Sequence, residues 1–190
     1  MSKLSPSALQ ARMMQPASFK RDFQKYLSEN GTRVDLPKSI AQLAYYDQQA
    51  IPNVAGQQQV YFVGQVGANR TNLGNSFTRA QAEHMIITGI QVNDGNNAVI
   101  QDTDWATGSS LVPTKNATAT VVVNGVTYLK DYPLVNASDE TTDDTRGIVW
   151  LTEPIFWPGQ TELRITVTFP SAGAASDNLR ITVIGVGTVA

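Results

Sequence analysis

Thr161-Glu162-Leu163-Arg164-Ile165-Thr166-Val167-Thr168-Phe169 sets Leu163, Ile165, Val167 and Phe169 on one side of the chain and Glu162, Arg164, Thr166 and Thr168 on the other. An extended chain sends successive side chains to opposite faces, so this period of two marks a strand with one buried face. The same period recurs from residue 57 onward. It predicts eight strands, over residues 58–66, 85–92, 98–104, 118–123, 126–132, 147–152, 161–169 and 179–186. Val123-Asn124-Gly125-Val126 is a two-residue hairpin signal, because Asn-Gly tolerates the positive φ angles of a type I′ turn. A longer turn is expected at Asn93-Asp94-Gly95-Asn96-Asn97, and Pro154, Pro158 and Gly159 punctuate the approach to the seventh strand. Strands with turn signals and no intervening helices predict an all-β fold, an eight-stranded antiparallel β-sandwich. Arranged as two Greek keys, it is a single jelly roll.

Before residue 56 the period changes. Phe19, Phe23, Tyr26 and Leu27 fall at i, i+4, i+7 and i+8 behind Ser18, a good helix cap, while Lys20, Arg21 and Lys25 lie off that stripe. Gly31 is a natural stop for this helix. A second helix is expected from Ser39 to just before Pro52, with Ile40, Leu43 and Ala44 facing inward, and a shorter one over residues 6–15. None is long enough to be stable alone in water, so each needs a partner surface. The expected organisation is a helical N-terminal arm over residues 1–56 and a sandwich over residues 57–190.

Charge is divided along the chain. Residues 1–38 hold seven Lys/Arg against three acids, a balance of +4, whereas the remaining residues hold seven basic against thirteen acidic, a balance of −6. The overall charge of −2 argues against a dedicated nucleic-acid binder. The absence of cysteine excludes disulfides, thiol catalysis and Cys-based zinc sites. No apolar run approaches the ~18–20 residues of a membrane span, and the first residues lack the apolar core of a secretory signal. The expectation is a soluble protein made in the cytoplasm. The sequons at Asn69, Asn116 and Asn136 follow from a Thr/Asn-rich composition.

Catalytic vocabulary is sparse. His84, the lone histidine, has no advertised triad or metal partners and is read as structural or solvated. Gly108-Ser109-Ser110 lacks the Gly-x-Ser-x-Gly elbow, and Gly185-Val186-Gly187 has no helix after it to cradle phosphate. Asp139, Glu140, Asp143 and Asp144 crowd one loop, and Asp94, Asp102 and Asp104 flank another. Calcium favours such loops, but the spacing fits no EF-hand, and a solvated loop is the expectation. Trp105, Trp150 and Trp157 each adjoin a strand, where core or interface packing is expected over sugar stacking. No catalytic, cofactor-binding or metal residues are assigned, and no enzyme activity is expected.

The arm has three readings: contact with a packaged genome, contact with a membrane, or docking on neighbouring subunits. Its charge is diluted by Gln, Ser and acids, unlike the Arg-rich blocks that neutralise phosphates, and its helices are short for membrane anchoring. Subunit docking through Phe19, Phe23, Tyr26, Leu27, Ile40 and Leu43 is therefore favoured, with genome or internal-membrane contact as weaker alternatives. Deleting residues 1–50 is expected to abolish assembly and leave the sandwich folded.

Val60-Tyr61-Phe62-Val63-Gly64, then Asn69-Arg70-Thr71-Asn72-Leu73, then Met85-Ile86-Ile87-Thr88-Gly89-Ile90-Gln91-Val92, resembles the opening of jelly-roll capsid proteins of icosahedral bacteriophages, of the tailless, membrane-containing type. Leu151-Thr152-Glu153-Pro154-Ile155-Phe156-Trp157-Pro158-Gly159-Gln160-Thr161-Glu162-Leu163 resembles their late loop-and-strand passage. The resemblance implies a virion structural protein made in the host cytoplasm, partnered by copies of itself and other capsid proteins, with no cofactor and no small-molecule substrate. It departs in one respect: the residues after Gly56 suffice for one jelly roll, whereas major capsid proteins of that group often carry two. Major, vertex and minor capsid roles all stay open. The rival reading is a phage receptor-binding or carbohydrate-binding sandwich module.

Overall fold

The computed structural model describes residues 25, 39–63, 70–73, 77, 79–80, 83–107, 111–134 and 147–189. Among them are nine strands: β1 (Ser39–Ala50), β2 (Gln57–Tyr61), β3 (Met85–Asn96), β4 (Ala106–Thr107), β5 (Thr118–Val123), β6 (Val126–Pro133), β7 (Ile148–Trp157), β8 (Leu163–Phe169) and β9 (Asp177–Val189). A 3-10 turn (Ile100–Asp102) and a short helix α1 (Val112–Lys115) interrupt them. Apart from the two-residue β4, eight strands make two antiparallel sheets. The first runs β1-β9-β3, with β7 and β4 sharing the far edge of β3, and the second runs β2-β8-β5-β6. Apart from β5 and β6, successive long strands switch sheets. This is the order of a single jelly roll.

The alternating stretch behaves as its period requires. Leu163, Ile165, Val167 and Phe169 are fully buried, and Arg164 on the other face is exposed. They meet Leu179, Ile181 and Val183 of the opposite sheet in one continuous core, together with Trp157 and Tyr61. Burying a side chain of this size stabilises by roughly 1.5–3 kcal/mol. The β5–β6 hairpin turns at Asn124 and Gly125, with φ of 49° and 78°, as Asn-Gly predicts.

β3 must change which parity faces inward. Met85 and Ile87 are buried in the core, and so are Ile90 and Val92. A register shift between Ile87 and Gly89, against both β7 and β9, makes the switch. Opposite it, β9 passes so close that a Cβ on Gly185 would strike the Ile86 carbonyl oxygen.

Three expectations are corrected. The second helix, from Ser39 to Pro52, is strand β1, paired residue for residue with β9 from Ser39↔Val189 to Ala50↔Asn178. Its Ile40-Leu43-Ala44 spacing fits a helix, but Leu43, Tyr45, Asp47 and Gln49 also share one face of a strand. Pairing with β9 and packing against the core decide between them. The sandwich therefore takes in residues 39–50. Second, residues 98–104 are not a strand. The Asn97 side chain accepts the Val99 N–H at 2.9 Å and donates to the Asp102 carbonyl at 2.9 Å, curling the segment into the 3-10 turn. Third, Asn93-Asp94-Gly95-Asn96 is no turn but the end of β3, paired with β4 and β9. β2 also stops short of the expected residue 66, because Phe62 adopts a φ of 64°. The expected helices over residues 18–31 and 6–15 lie outside the described residues, save Lys25, which is helical and exposed.

Candidate functional site

His84 is the first place to look for chemistry. Its Nδ1 accepts the Gly159 N–H at 3.2 Å, its backbone N–H donates to Thr188 Oγ1 at 2.9 Å, and its carbonyl accepts the Thr188 N–H at 2.9 Å. The half-buried ring lies 5.9 Å from that of Phe156. With Nδ1 accepting, the neutral ring carries its proton on Nε2. These bonds join the start of β3 to the β7–β8 turn and the end of β9, which is a structural arrangement.

The charged groups inside the sandwich are likewise tied up in structure. Asp47 faces inward from β1 with no solvent exposure. Its carboxylate accepts Arg70 Nε at 2.7 Å, Arg70 Nη2 at 2.9 Å and the Phe62 N–H at 2.7 Å. The Arg70 guanidinium also stands 4.9 Å from the Phe77 ring centre. Arg79 is 3% exposed and donates Nη2 to the Thr188 carbonyl at 3.2 Å. Its Nε and Nη1 reach no acceptor, while the Tyr45 and Trp157 rings stand 5.4 and 5.7 Å from its Cζ and offer the cation their faces. Burial pulls the pKa of this guanidinium down, and nearby Tyr45 and Glu83 resist that pull. Nothing in the sequence around Arg79 or Asp47 signals this burial; only the pairing of distant segments produces it.

Among the described residues the acidic side chains do not converge. Asp94 is buried and accepts the Leu111 N–H at 2.8 Å, whereas Asp102 and Asp104 are exposed. Among the described residues no group of three or more His, Asp or Glu is placed to hold a metal ion. Asp139, Glu140, Asp143, Asp144, Gly108, Ser109 and Ser110 lie outside them.

The tryptophans divide. Trp157 is fully buried in the core. Trp150 is half-buried on the outward face of the first sheet, where a Cβ on Gly89 would stand 3.1 Å from its Cε3. Trp105, also half-buried, stacks 4.2 Å from the Arg180 guanidinium, whose other neighbour is Tyr46 at 4.8 Å. Gln48 Oε1 accepts both Nε and Nη2 of that arginine, at 2.9 and 2.6 Å.

Of the expected docking residues, Phe19, Phe23, Tyr26 and Leu27 lie outside the described residues. Ile40 and Leu43 belong to β1, not to a helix. Leu43 packs against the core of its own sandwich, so its apolar surface is used within the chain.

The two outer sheet faces differ in chemistry. On the second sheet, Thr118 pairs with Thr168 and Thr120 with Thr166, while Val126 and Tyr128 on the edge strand β6 are exposed. On the first, the register aligns Phe156, Ile86 and Val186 in one row, and Trp150, Gly89, Ile184 and Ala44 in the next. Sequence periodicity missed this second apolar surface, because β1 was read as a helix and the parity switch in β3 is invisible without its neighbours.

No family model and no curated protein matches the chain. Among solved structures, it is similar to a beta-porphyranase of glycoside hydrolase family 86 from the human gut bacterium Bacteroides plebeius. Identity is 12%, the TM-score is 0.27, and the match covers 84% of this chain and 23% of the other. A likeness at that score bears on neither fold nor activity.

Proposed function

We propose that the chain is a virion structural protein, an icosahedral capsid subunit that assembles through its sandwich surfaces and its N-terminal arm. The observation that carries this reading is the strand order, β1-β9-β3-β7 over β2-β8-β5-β6. Jelly rolls also serve lectins and cupins, so the topology argues at the level of fold alone. Three features add to it: the resemblance to phage jelly-roll proteins, a basic arm on an acidic body, and buried charges engaged in structural contacts among the described residues. Subunits of such a shell meet through several faces related by symmetry. The partners are copies of this chain and other capsid proteins, and the location is the virion. The test is electron microscopy and sedimentation of the purified full chain. Closed particles are expected; a chain that stays monomeric at high concentration and enters no particle overturns the reading.

A second reading, a receptor-binding or carbohydrate-binding module, draws on the half-buried Trp105 beside Arg180 and Gln48. Sugar capture on a glycan array that is lost in Trp105→Ala supports it; an array without signal removes it.

A further inference from the structure

The loop between β3 and β4 is tied down onto the first sheet. Asn178 of β9, 3% exposed, donates Nδ2 to the Asn97 carbonyl at 2.7 Å and to Thr103 Oγ1 at 3.1 Å, so one buried amide holds both ends of the 3-10 turn. Two residues beyond Thr103, the Trp105 ring centre comes 4.2 Å from the Arg180 guanidinium carbon. Gln48 stands directly opposite Arg180 in the β1–β9 ladder, and Tyr46, two residues before it, brings a second ring centre to 4.8 Å. The buried Gln48 accepts Nε and Nη2 through one oxygen.

Arg70 and Arg164 each meet a carboxylate, at 2.7 and 2.8 Å. Among the described residues no acid lies within ion-pair distance of Arg180. Burial pulls its pKa down, with Tyr46 resisting. Two rings and a neutral amide therefore fix this cation without neutralising it. Gln48 occupies the Nε–Nη2 edge and leaves the Nη1–Nη2 edge, the fork that matches a carboxylate, without a partner among the described residues. The Trp105 Nε1–H and the Tyr46 hydroxyl likewise make no hydrogen bond among the described residues, and all three side chains are only half-buried. A fork held in place beforehand loses little freedom when it binds.

The surroundings narrow the ligand. An indole ring offers a sugar an apolar face and a polar N–H. Asp102 and Asp104, exposed in the same loop as Trp105, repel a polyanion but can accept hydroxyl protons. A ligand with one carboxylate and several hydroxyls answers to both signs of charge. We infer that Arg180, Trp105 and Tyr46, positioned by Gln48, form a binding site for the carboxylate of an acidic sugar, of the uronic or sialic acid class. This rests on the carbohydrate-binding reading above and names its ligand class.

The test follows indole N–H signals of the nitrogen-15-labelled full chain by NMR, with the Trp105 signal assigned from its loss in Trp105→Phe. Glucuronic acid and N-acetylneuraminic acid are titrated beside glucose and acetate. Both acidic sugars should shift the Trp105 signal to saturation, at concentrations roughly tenfold or more below any effect of glucose or acetate. Arg180→Gln, shown by circular dichroism melts to be folded, should weaken the acidic sugars by a similar factor. Arg180→Lys keeps the charge but loses the fork, and should fall between the two. Acetate acting as strongly as the acidic sugars reduces the site to one for any carboxylate and overturns the assignment to sugars. Glucose binding as well as glucuronic acid, or Arg180→Gln binding as wild type does, removes the inference and leaves the carbohydrate-binding reading standing. A Trp105 signal that no sugar moves removes both.

Discussion

Replacing Arg70 by methionine isolates the inward-facing charge of β1. The substitution keeps a long side chain that can still cover Phe77, but it removes both guanidinium bonds to Asp47, at 2.7 and 2.9 Å, and the longer bond to the Val63 carbonyl at 3.3 Å. The Asp47 carboxylate is then left with the Phe62 N–H and the 3.2 Å contact from Gln49 Nε2, still without solvent. Removing one partner of a buried pair costs about 3–5 kcal/mol. The Arg70 side chain is 21% exposed, so water can partly replace it, and the lower end, about 3 kcal/mol, is expected. At roughly 2–4 °C per kcal/mol for a chain of this size, melting should fall by about 6–12 °C. Urea unfolding followed by circular dichroism measures the cost. Asp47→Asn in the same background should recover part of it, because the stranded charge is gone. A cost below about 1 kcal/mol, the range of exposed ion pairs, would refute the reasoning.

Gly125→Ala and Gly185→Ala separate two uses of glycine. At Gly125, φ is 78° with open space around it, so only the left-handed backbone penalty of about 1–2 kcal/mol applies. Gly185→Ala drives a methyl group into the Ile86 carbonyl and should reach or exceed the upper end of the roughly 1–3 kcal/mol typical of overpacking. Equal melting temperatures for the two variants would contradict this. Tyr61 is fully buried, and that burial, with Asp47 nearby, holds its pKa well above the ordinary value. The unfolded chain loses this proton near about pH 10 while the folded chain keeps it, so stability is full below that pH and falls above it. Tyr61→Phe should flatten the alkaline limb of a stability-against-pH curve, and a curve parallel to wild type would count against the assignment. Deleting residues 1–38 should leave a folded sandwich that does not assemble, whereas deleting residues 1–50 removes β1 and should abolish cooperative unfolding. Circular dichroism melts of the two truncations distinguish the outcomes.

Much of the sandwich was legible because its signals are local. The alternation of β8 and the Asn124-Gly125 turn each need only a few neighbouring residues to be read. β1 was not legible, since its inward face carries Asp47 and Gln49, polar residues whose partners Arg70 and Gln59 come from elsewhere in the chain. Residues 98–104 misled for the opposite reason. Their apolar content fits a strand, but the Asn97 side chain binds the segment to itself. Of the candidate docking residues, Leu43 was apolar for the sake of its own core. The outward patch on the first sheet was hidden because its rows draw on β7, β3 and β9 at once.

The pairing of β1 with β9 also sets an order of events during synthesis. The first strand of the sandwich waits for the last, because Tyr45 finds its partner only when Val183 has been made. Until then the first sheet lacks its middle member, and the loop to be closed is most of the domain, which slows folding. A nascent chain therefore carries β1 without its sheet partner through most of the synthesis of the sandwich, and the first sheet closes only once β9 has been made.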